Sequence, residues 1–228
     1  MDYIFAPPAV PSLPILGRAE RFAVRRVFCI GRNYADHAKE MGARVDRSQP
    51  VFFTKPADAV LADGADVPYP AATASLHHEV EWVVALAAGG RDIAVADANA
   101  LLFGHGVGLD LTRRDLQAAA KAGGLPWDSA KGFDHSAPVS ALRPVADGAP
   151  GPDSVLSLHV NGELRQRTRL DAMLWPIAEI VAELSKLFEL KTGDLIFTGT
   201  PAGVAELRRG DRFHAQLAGI AELHGRIV

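Results

Sequence analysis

A β-rich α+β fold in one domain is what this chain predicts, on three observations. Its apolar runs are mostly short and bounded by glycine, proline or aspartate, as strands are. Asn161-Gly162, set between two alternating segments, is a hairpin signal. The clearest helical periodicity is confined to one stretch, opened by Trp175-Pro176, where Ile177, Ile180, Val181, Leu184 and Leu187 share a face. With 228 residues the chain can bury a full core. No repeat, low-complexity tract or linker divides it.

Residues 1–22 carry Pro7, Pro8, Pro11 and Pro14, a density that suits an extended arm lying on a body or a partner subunit. The remainder, 23–228, reads as a single domain. Val24 to Ile30 is a short strand. In Gly31-Arg32-Asn33-Tyr34-Ala35-Asp36-His37-Ala38-Lys39-Glu40-Met41-Gly42, Asn33 is placed to cap a short helix that Gly42 ends. His37 and Glu40, three apart, share its face, and a carboxylate beside an imidazole makes a general base. The same pair on a surface is more often an ordinary ion pair. Bounded by glycines, this segment also suits a lid.

Val51 to Thr54 is a strand delivering Lys55, which can reach an anionic ligand or simply be solvated. Leu61 to Thr73 reads as loop or edge hairpin. The next strand holds Glu79 and Glu81 on one face and Val80, Trp82 and Val84 on the other. Neighbouring carboxylates on an apolar strand resist burial, and a hard divalent cation between them relieves both repulsion and desolvation. Alternatively, they sit in water. Ala94 to Leu102 is helix-like, and Gly104-His105-Gly106-Val107-Gly108 a strand permitting close backbone approach. Asp110 ends that strand. Thr112 is the natural start of a helix carrying Arg114 and Gln117, which leaves Asp110 free as a third acid. Lys131 lies in a Gly/Pro-rich loop, and Asp194 to Thr198 is a strand running into Gly199-Thr200-Pro201-Ala202-Gly203. Two more strands close the chain.

Composition excludes several classes. Hydrophobic residues at 48%, charged residues at 22% and a net charge of −3 describe a globular protein without affinity for nucleic acid or anionic membrane. Cys29 is the single cysteine, so no intramolecular disulfide or C-x-x-C site exists. No apolar run approaches a membrane span, and Met1 to Phe5 lacks the basic start of a signal peptide, so a cytoplasmic location is expected. His78-Glu79 fails as H-E-x-x-H because Trp82 stands where the second histidine belongs. Phosphate-cradling, dinucleotide and nucleophile-elbow motifs are absent. An all-oxygen ligand set points to Mg²⁺, Mn²⁺ or Ca²⁺.

The series Gly31-Arg32-Asn33-Tyr34, His37-x-x-Glu40, Lys55-Pro56, His78-Glu79-Val80-Glu81, Asp110-x-x-x-Arg114-Asp115-x-Gln117, Lys131-x-Phe133-Asp134, Asn161-Gly162-Glu163 and Phe197-Thr198-Gly199-Thr200-Pro201-x-Gly203-Val204 resembles the fumarylacetoacetate hydrolase family from about Val24 to the C-terminus. The resemblance implies a mixed β-sandwich roll, commonly a homodimer. It places metal ligands at Glu79, Glu81 and Asp110 with Mg²⁺ bound, and the catalytic pair at His37 and Glu40. Lys131 falls near the metal, and Arg32, Lys55, Gln117 and Thr200 fall at substrate-contacting positions. The implied activity is hydrolysis of the carbon–carbon bond of an acylpyruvate, a small 2,4-dioxo acid. The proline-rich start, Thr112 to Asp115 and Phe188-Glu189-Leu190 resemble members that cleave fumarylpyruvate in gentisate degradation. Lys131 and Gln117 are then expected to donate to the oxyanion, and Thr200 to hold the pyruvate carboxylate. Arg113 departs from the small residue common in the family, either as a contact to a second carboxylate or as solvated surface. Rival expectations are an oxaloacetate decarboxylase or an isomerase or hydratase of unsaturated oxo acids, and more remotely a non-catalytic metal-binding module.

Overall fold

The computed structural model describes every residue except 1, 2, 41, 43, 44 and 46. The first two residues of the expected arm and Met41 of the expected lid segment thus lie outside the described residues.

After the exposed residues 3–10, β1 (Ser12–Pro14) and β2 (Arg21–Ala23) form an antiparallel hairpin. β3 (Arg26–Gly31) leads through Arg32 to α1 (Ala35–Glu40), and β4 (Val51–Lys55) returns antiparallel to β3. Asn33 does not cap α1. Its side chain crosses to the Trp175 backbone and the Thr198 carbonyl, burying its amide where fixed long-range partners are on offer. β5 (Val60–Ala62) and β6 (Asp66–Val67) join different sheets, so Leu61 to Thr73 is a crossing between layers and not a hairpin.

β7 (Leu76–His77) precedes the acidic strand β8 (Val80–Leu86). A single turn, α2 (Val95–Ala98), passes into a 3₁₀ turn and then β9 (Leu102–Leu109). Thr112 does not begin the next helix. It lies in β10 (Thr112–Arg113), paired with β7, and its hydroxyl donates to the Asp110 carbonyl at 3.0 Å. α3 (Arg114–Gly123) starts two residues later and ends at Gly124, whose φ of 64° makes a left-handed cap. Lys131 closes a short helix, α4 (Asp128–Lys131), where a loop was expected.

β11 (Ala137–Val139) and β12 (Arg143–Pro144) pair with β9. β13 (Val155–Val160) and β14 (Glu163–Arg169) form the expected hairpin, with Asn161 and Gly162 at φ 52° and 82°, both positive as a type I′ turn demands. α5 (Ile177–Leu187) buries Ile177, Ile180, Val181 and Leu184, while Leu187, its last residue, is exposed. β15 (Asp194–Phe197), β16 (Arg212–Leu217) and β17 (Ala221–Ile227) complete the chain.

The strands make an eight-stranded mixed sheet, in which β4-β3-β15-β8-β9-β11-β5 run in order and β12 joins β9, and a five-stranded sheet, β14-β13-β16-β17-β6. This is a β-rich α+β sandwich roll. The seven residues of β8 are all buried because both its faces are covered. Val80, Trp82, Val84 and Leu86 pack against the five-stranded sheet and α5, among Leu156, Leu158, Phe213 and Leu223. Val83 and Ala85 face a second core with Val27, Leu195 and Phe197, covered by Leu13 and Phe22 of the β1–β2 hairpin. Gly108 belongs to this second packing. A Cβ there would lie 2.8 Å from the Phe197 ring and 2.9 Å from Val83, so only glycine lets the strands close. No described helix is long and apolar enough to cross a membrane.

Candidate functional site

The polar centre forms where β8 begins, β9 ends, and the parallel strands β3 and β15 both terminate. Glu81 lies on the Val83 side of β8, and Glu79 precedes the strand by one residue on that side. The pairing of Val80 with Leu109, continued by Asp110 N–H donating to Glu79 O at 2.9 Å, brings in the third acid. Ligand oxygens of Glu79, Glu81 and Asp110 lie within 4.8 Å of one another, and all three residues are buried.

The three acids are compensated unequally. Lys131 Nζ donates to Glu79 Oε2 at 2.8 Å and to Asp110 Oδ2 at 2.5 Å. Arg114 Nη2 donates to Glu79 Oε1 at 2.5 Å. Lys55 Nζ lies 2.8 Å from Asp110 Oδ1 and donates to the carbonyls of Leu111 and Lys131. Glu81 faces no cation at hydrogen-bond distance among the described residues. Its Oε2 accepts from Gly199 N–H at 2.6 Å. Gly199, at φ 92°, approaches so closely that a Cβ would lie 2.6 Å from Asn33 Cβ.

The electrostatics follow from these partners. Burial alone would raise the Glu79 pKa, but Lys131 and Arg114 hold it well below the carboxylate range. Burial, Asp110 and Glu79 push Glu81 well above that range. Lys131, despite burial, is raised by Asp110 and Glu79. Glu81 is therefore the acid whose ionised form needs a further positive charge. A cluster of hard oxygens with one under-compensated carboxylate fits a divalent cation held by Glu79, Glu81 and Asp110.

A cavity of about 390 Å³ opens over the acids, within the ~300–1,000 Å³ of small-molecule sites. His37, on α1, lines it. Its Nδ1 lies 3.3 Å from Glu40 Oε2, which leaves Nε2 to face a ligand. Burial lowers the His37 pKa, and Glu79 and Glu40 partly oppose that. Glu40 also accepts from Gly203 N–H at 3.1 and 3.2 Å, tying α1 to the loop after β15. Arg32 stands at the cavity wall with φ 60°, a left-handed turn between β3 and α1. Gln117 lines the cavity too. Its Oε1 accepts from Arg114 at 2.7 Å, so its NH₂ is the free end. Thr200 is buried at the cavity edge.

The structure thus gathers nine of the ten expected residues around one cavity: Arg32, His37, Glu79, Glu81, Asp110, Gln117, Lys131 and Thr200 in its wall, and Glu40 behind His37. Lys55 is placed differently. Its side chain is fully enclosed behind Asp110, and the anion it reaches is that acid. Arg113 stands outside the cavity wall, with its guanidinium 4.4 Å from the Phe133 ring and donating to Ser129 O.

Two residues escaped the sequence. Gln166, on β14, is buried with Oε1 accepting from Val80 N–H at 3.0 Å, which turns its Nε2 to donate to Thr200 Oγ1 at 2.8 Å and to Pro201 O. Its Oε1 also lies 2.9 Å from His78 Nδ1. Because Thr200 Oγ1 accepts from Gln166, its own proton is left to donate. Gln166→Leu should unpair Val80 N–H and free Thr200, lowering stability by about 1–3 kcal/mol in urea titrations and raising KM for an anionic substrate. Lys121 is the other. It lines the cavity with Nζ 5.3 Å from the Trp127 ring, and burial followed by Arg114 lowers its pKa. A signal existed: Arg114, Gln117 and Lys121 lie at i, i+3 and i+7 of one helix.

The family profile described as fumarylacetoacetate (FAA) hydrolase C-terminal matches residues 26–228. A crystal structure of fumarylpyruvate hydrolase from Pseudomonas aeruginosa in complex with Mn²⁺ and pyruvate is similar at 46% identity and a TM-score of 0.96, covering 100% of this chain and 99% of that one. The mitochondrial oxaloacetate tautomerase of Mus musculus is 42% identical over 204 residues, 89% of this chain and 91% of that protein. A fumarylpyruvate hydrolase of Ralstonia sp is 38% identical over 80% of this chain and 96% of its own length.

Proposed function

Because the chain belongs to the fumarylacetoacetate hydrolase family, we propose that it is a divalent-cation-dependent hydrolase of acylpyruvates, with fumarylpyruvate the preferred substrate and fumarate and pyruvate the products. The observation that carries this reading is the meeting of three buried carboxylates with a His/Glu pair across one cavity. The Pseudomonas fumarylpyruvate hydrolase, solved with Mn²⁺ and pyruvate, is similar with 100% of this chain covered.

Glu79, Glu81 and Asp110 would hold Mg²⁺ or Mn²⁺, which would supply Lewis-acid stabilisation of negative charge developing on the oxo acid. The chain's own groups do the rest. Lys55, Lys131 and Arg114 match the three acids in number while pairing with Glu79 and Asp110, so a bound cation would leave a positive surplus for an anionic oxo acid to neutralise. Thr200, its oxygen occupied by Gln166, donates to the pyruvate carboxylate. His37 Nε2 takes a proton from water, and the hydroxide adds to the distal carbonyl carbon. The Gln117 NH₂ and the remaining Lys131 proton donate to the resulting oxyanion. Its collapse breaks the bond to the methylene carbon, and His37 returns the proton to that carbon.

Lys121 and Arg32, which also line the cavity, receive the second carboxylate of a fumaryl group. Lys121→Met should raise KM for fumarylpyruvate about 10- to 100-fold, as expected for one lost charged hydrogen bond of ~1.5–3 kcal/mol, and leave KM for the monoanionic acetylpyruvate unchanged.

A second reading is favoured by the oxaloacetate tautomerase similarity at 42% identity. The same base and cation suit proton transfer at an oxo acid without added water. Following the ultraviolet absorbance of fumarylpyruvate, acetylpyruvate and oxaloacetate with Mg²⁺, with product identification, separates the two. Two acids signify hydrolysis. An enol–keto shift of oxaloacetate with both acylpyruvates intact would overturn it.

A further inference from the structure

On the solvent side of the five-stranded sheet, far along the chain from the acid cluster, a histidine row crosses three neighbouring strands. His159 on β13 pairs with His214 on β16, and His214 with His224 on β17. The rings of His214 and His224 stack at 4.2 Å between centroids and 10° between planes. Glu222 is two residues from His224 on the same face. We propose that His214, Glu222 and His224 form a second, surface metal site that takes a borderline cation, Zn²⁺ above all.

Glu222 Oε2 lies 3.3 Å from His214 Nε2 and 3.5 Å from His224 Nε2, and all three ligand atoms fall within 4.8 Å. Those two separations match the edge of a tetrahedron with bonds of about 2.0–2.1 Å, roughly 3.3–3.4 Å, better than an N–H···O hydrogen bond of about 2.9 Å. His214 Nε2 is shielded from solvent, and its one polar neighbour, Glu222 Oε2 at 3.3 Å, does not meet hydrogen-bond geometry. Gln216 Nε2 donates to Glu222 Oε1 at 2.9 Å, which fixes the carboxylate with Oε2 toward the imidazoles. All four side chains stand on regular antiparallel strands, so the cross-strand register keeps the ligands side by side, and one ring must turn out of the stack to aim both lone pairs at one ion.

The neighbourhood selects the ion. Arg212 and Arg226 flank the histidines and line the same cavity of about 620 Å³, with Asp66 beside them. Glu222 and Asp66 against two arginines leave no net negative charge to attract Mg²⁺ or Ca²⁺, whereas imidazole nitrogens bond Zn²⁺, Ni²⁺ and Cu²⁺ covalently enough to need none. The fourth position of a His₂Glu site stays open to water or to an anionic group from outside, which the two arginines favour.

The test is calorimetric titration of the full chain with Zn²⁺ in a large excess of Mg²⁺. The expected result is one Zn²⁺ equivalent in the native protein that is lost in both His224→Ala and Glu222→Gln. The same equivalent should persist in Glu81→Ala, which separates this site from the acid cluster. These outward side chains carry no core packing, so the melting temperatures of the two surface variants should match that of the native protein without Zn²⁺. Absence of any Zn²⁺ uptake under Mg²⁺, or uptake unchanged in both surface variants, would overturn the proposal.

Discussion

Glu81→Ala is expected to abolish divalent-cation binding and, with it, turnover. Of the three buried acids it is the one without a cationic partner at hydrogen-bond distance among the described residues, so its ionised form depends most on an added positive charge. Removing it leaves Glu79 and Asp110 already neutralised by Lys131, Arg114 and Lys55, a pair with little residual pull on a dication. Loss of Glu81 also leaves the buried Gly199 N–H without its acceptor, so the apo melting temperature should fall modestly while cation-induced stabilisation disappears. Calorimetry with Mn²⁺ and a thermal melt with and without Mn²⁺ check both halves. An unaltered isotherm would remove the acid cluster from the account.

His37→Ala should reduce kcat by about two to four orders of magnitude, the range for losing a general base, with cation affinity unchanged. The native pH profile tests the same residue. The working form is the neutral imidazole, whose pKa burial holds below the ordinary value of about 6.5. Activity should therefore be full above that point and fall as pH drops through the lowered value. Glu40→Gln removes a charge that raises the pKa, so the acid limb should move further down while kcat falls through loss of the ring's orientation. Full activity in His37→Ala, or an acid limb above 6.5, would contradict the assignment.

The parts of the site written in short-range pattern were legible beforehand. Strand alternation puts Glu79 and Glu81 together, and helical spacing does the same for His37 with Glu40 and Arg114 with Gln117. Long-range capture was not. Lys55 ends its strand where Asp110 waits, 55 residues on, and becomes the support of that acid. Asn33 and Thr112 look like helix caps by neighbour alone, yet Trp175, Thr198 and the β7 backbone take them first. Gln166 has no local signal, because its meaning comes from a strand of the other sheet meeting Val80 and Thr200. In the fold, the hairpin at Asn161-Gly162 and the α5 face follow from turn chemistry and periodicity. The crossing at β5–β6 depends on parallel partners, β11 and β17, distant in sequence.

The most direct measurement is cleavage of fumarylpyruvate in H₂¹⁸O with Mg²⁺ present, read by mass spectrometry. Water attack at the distal carbonyl predicts one ¹⁸O in the newly formed carboxylate of fumarate, equimolar pyruvate, and no reaction once a chelator strips the cation. Intact fumarylpyruvate under those conditions, or products formed at full rate in chelator, would contradict the central claim.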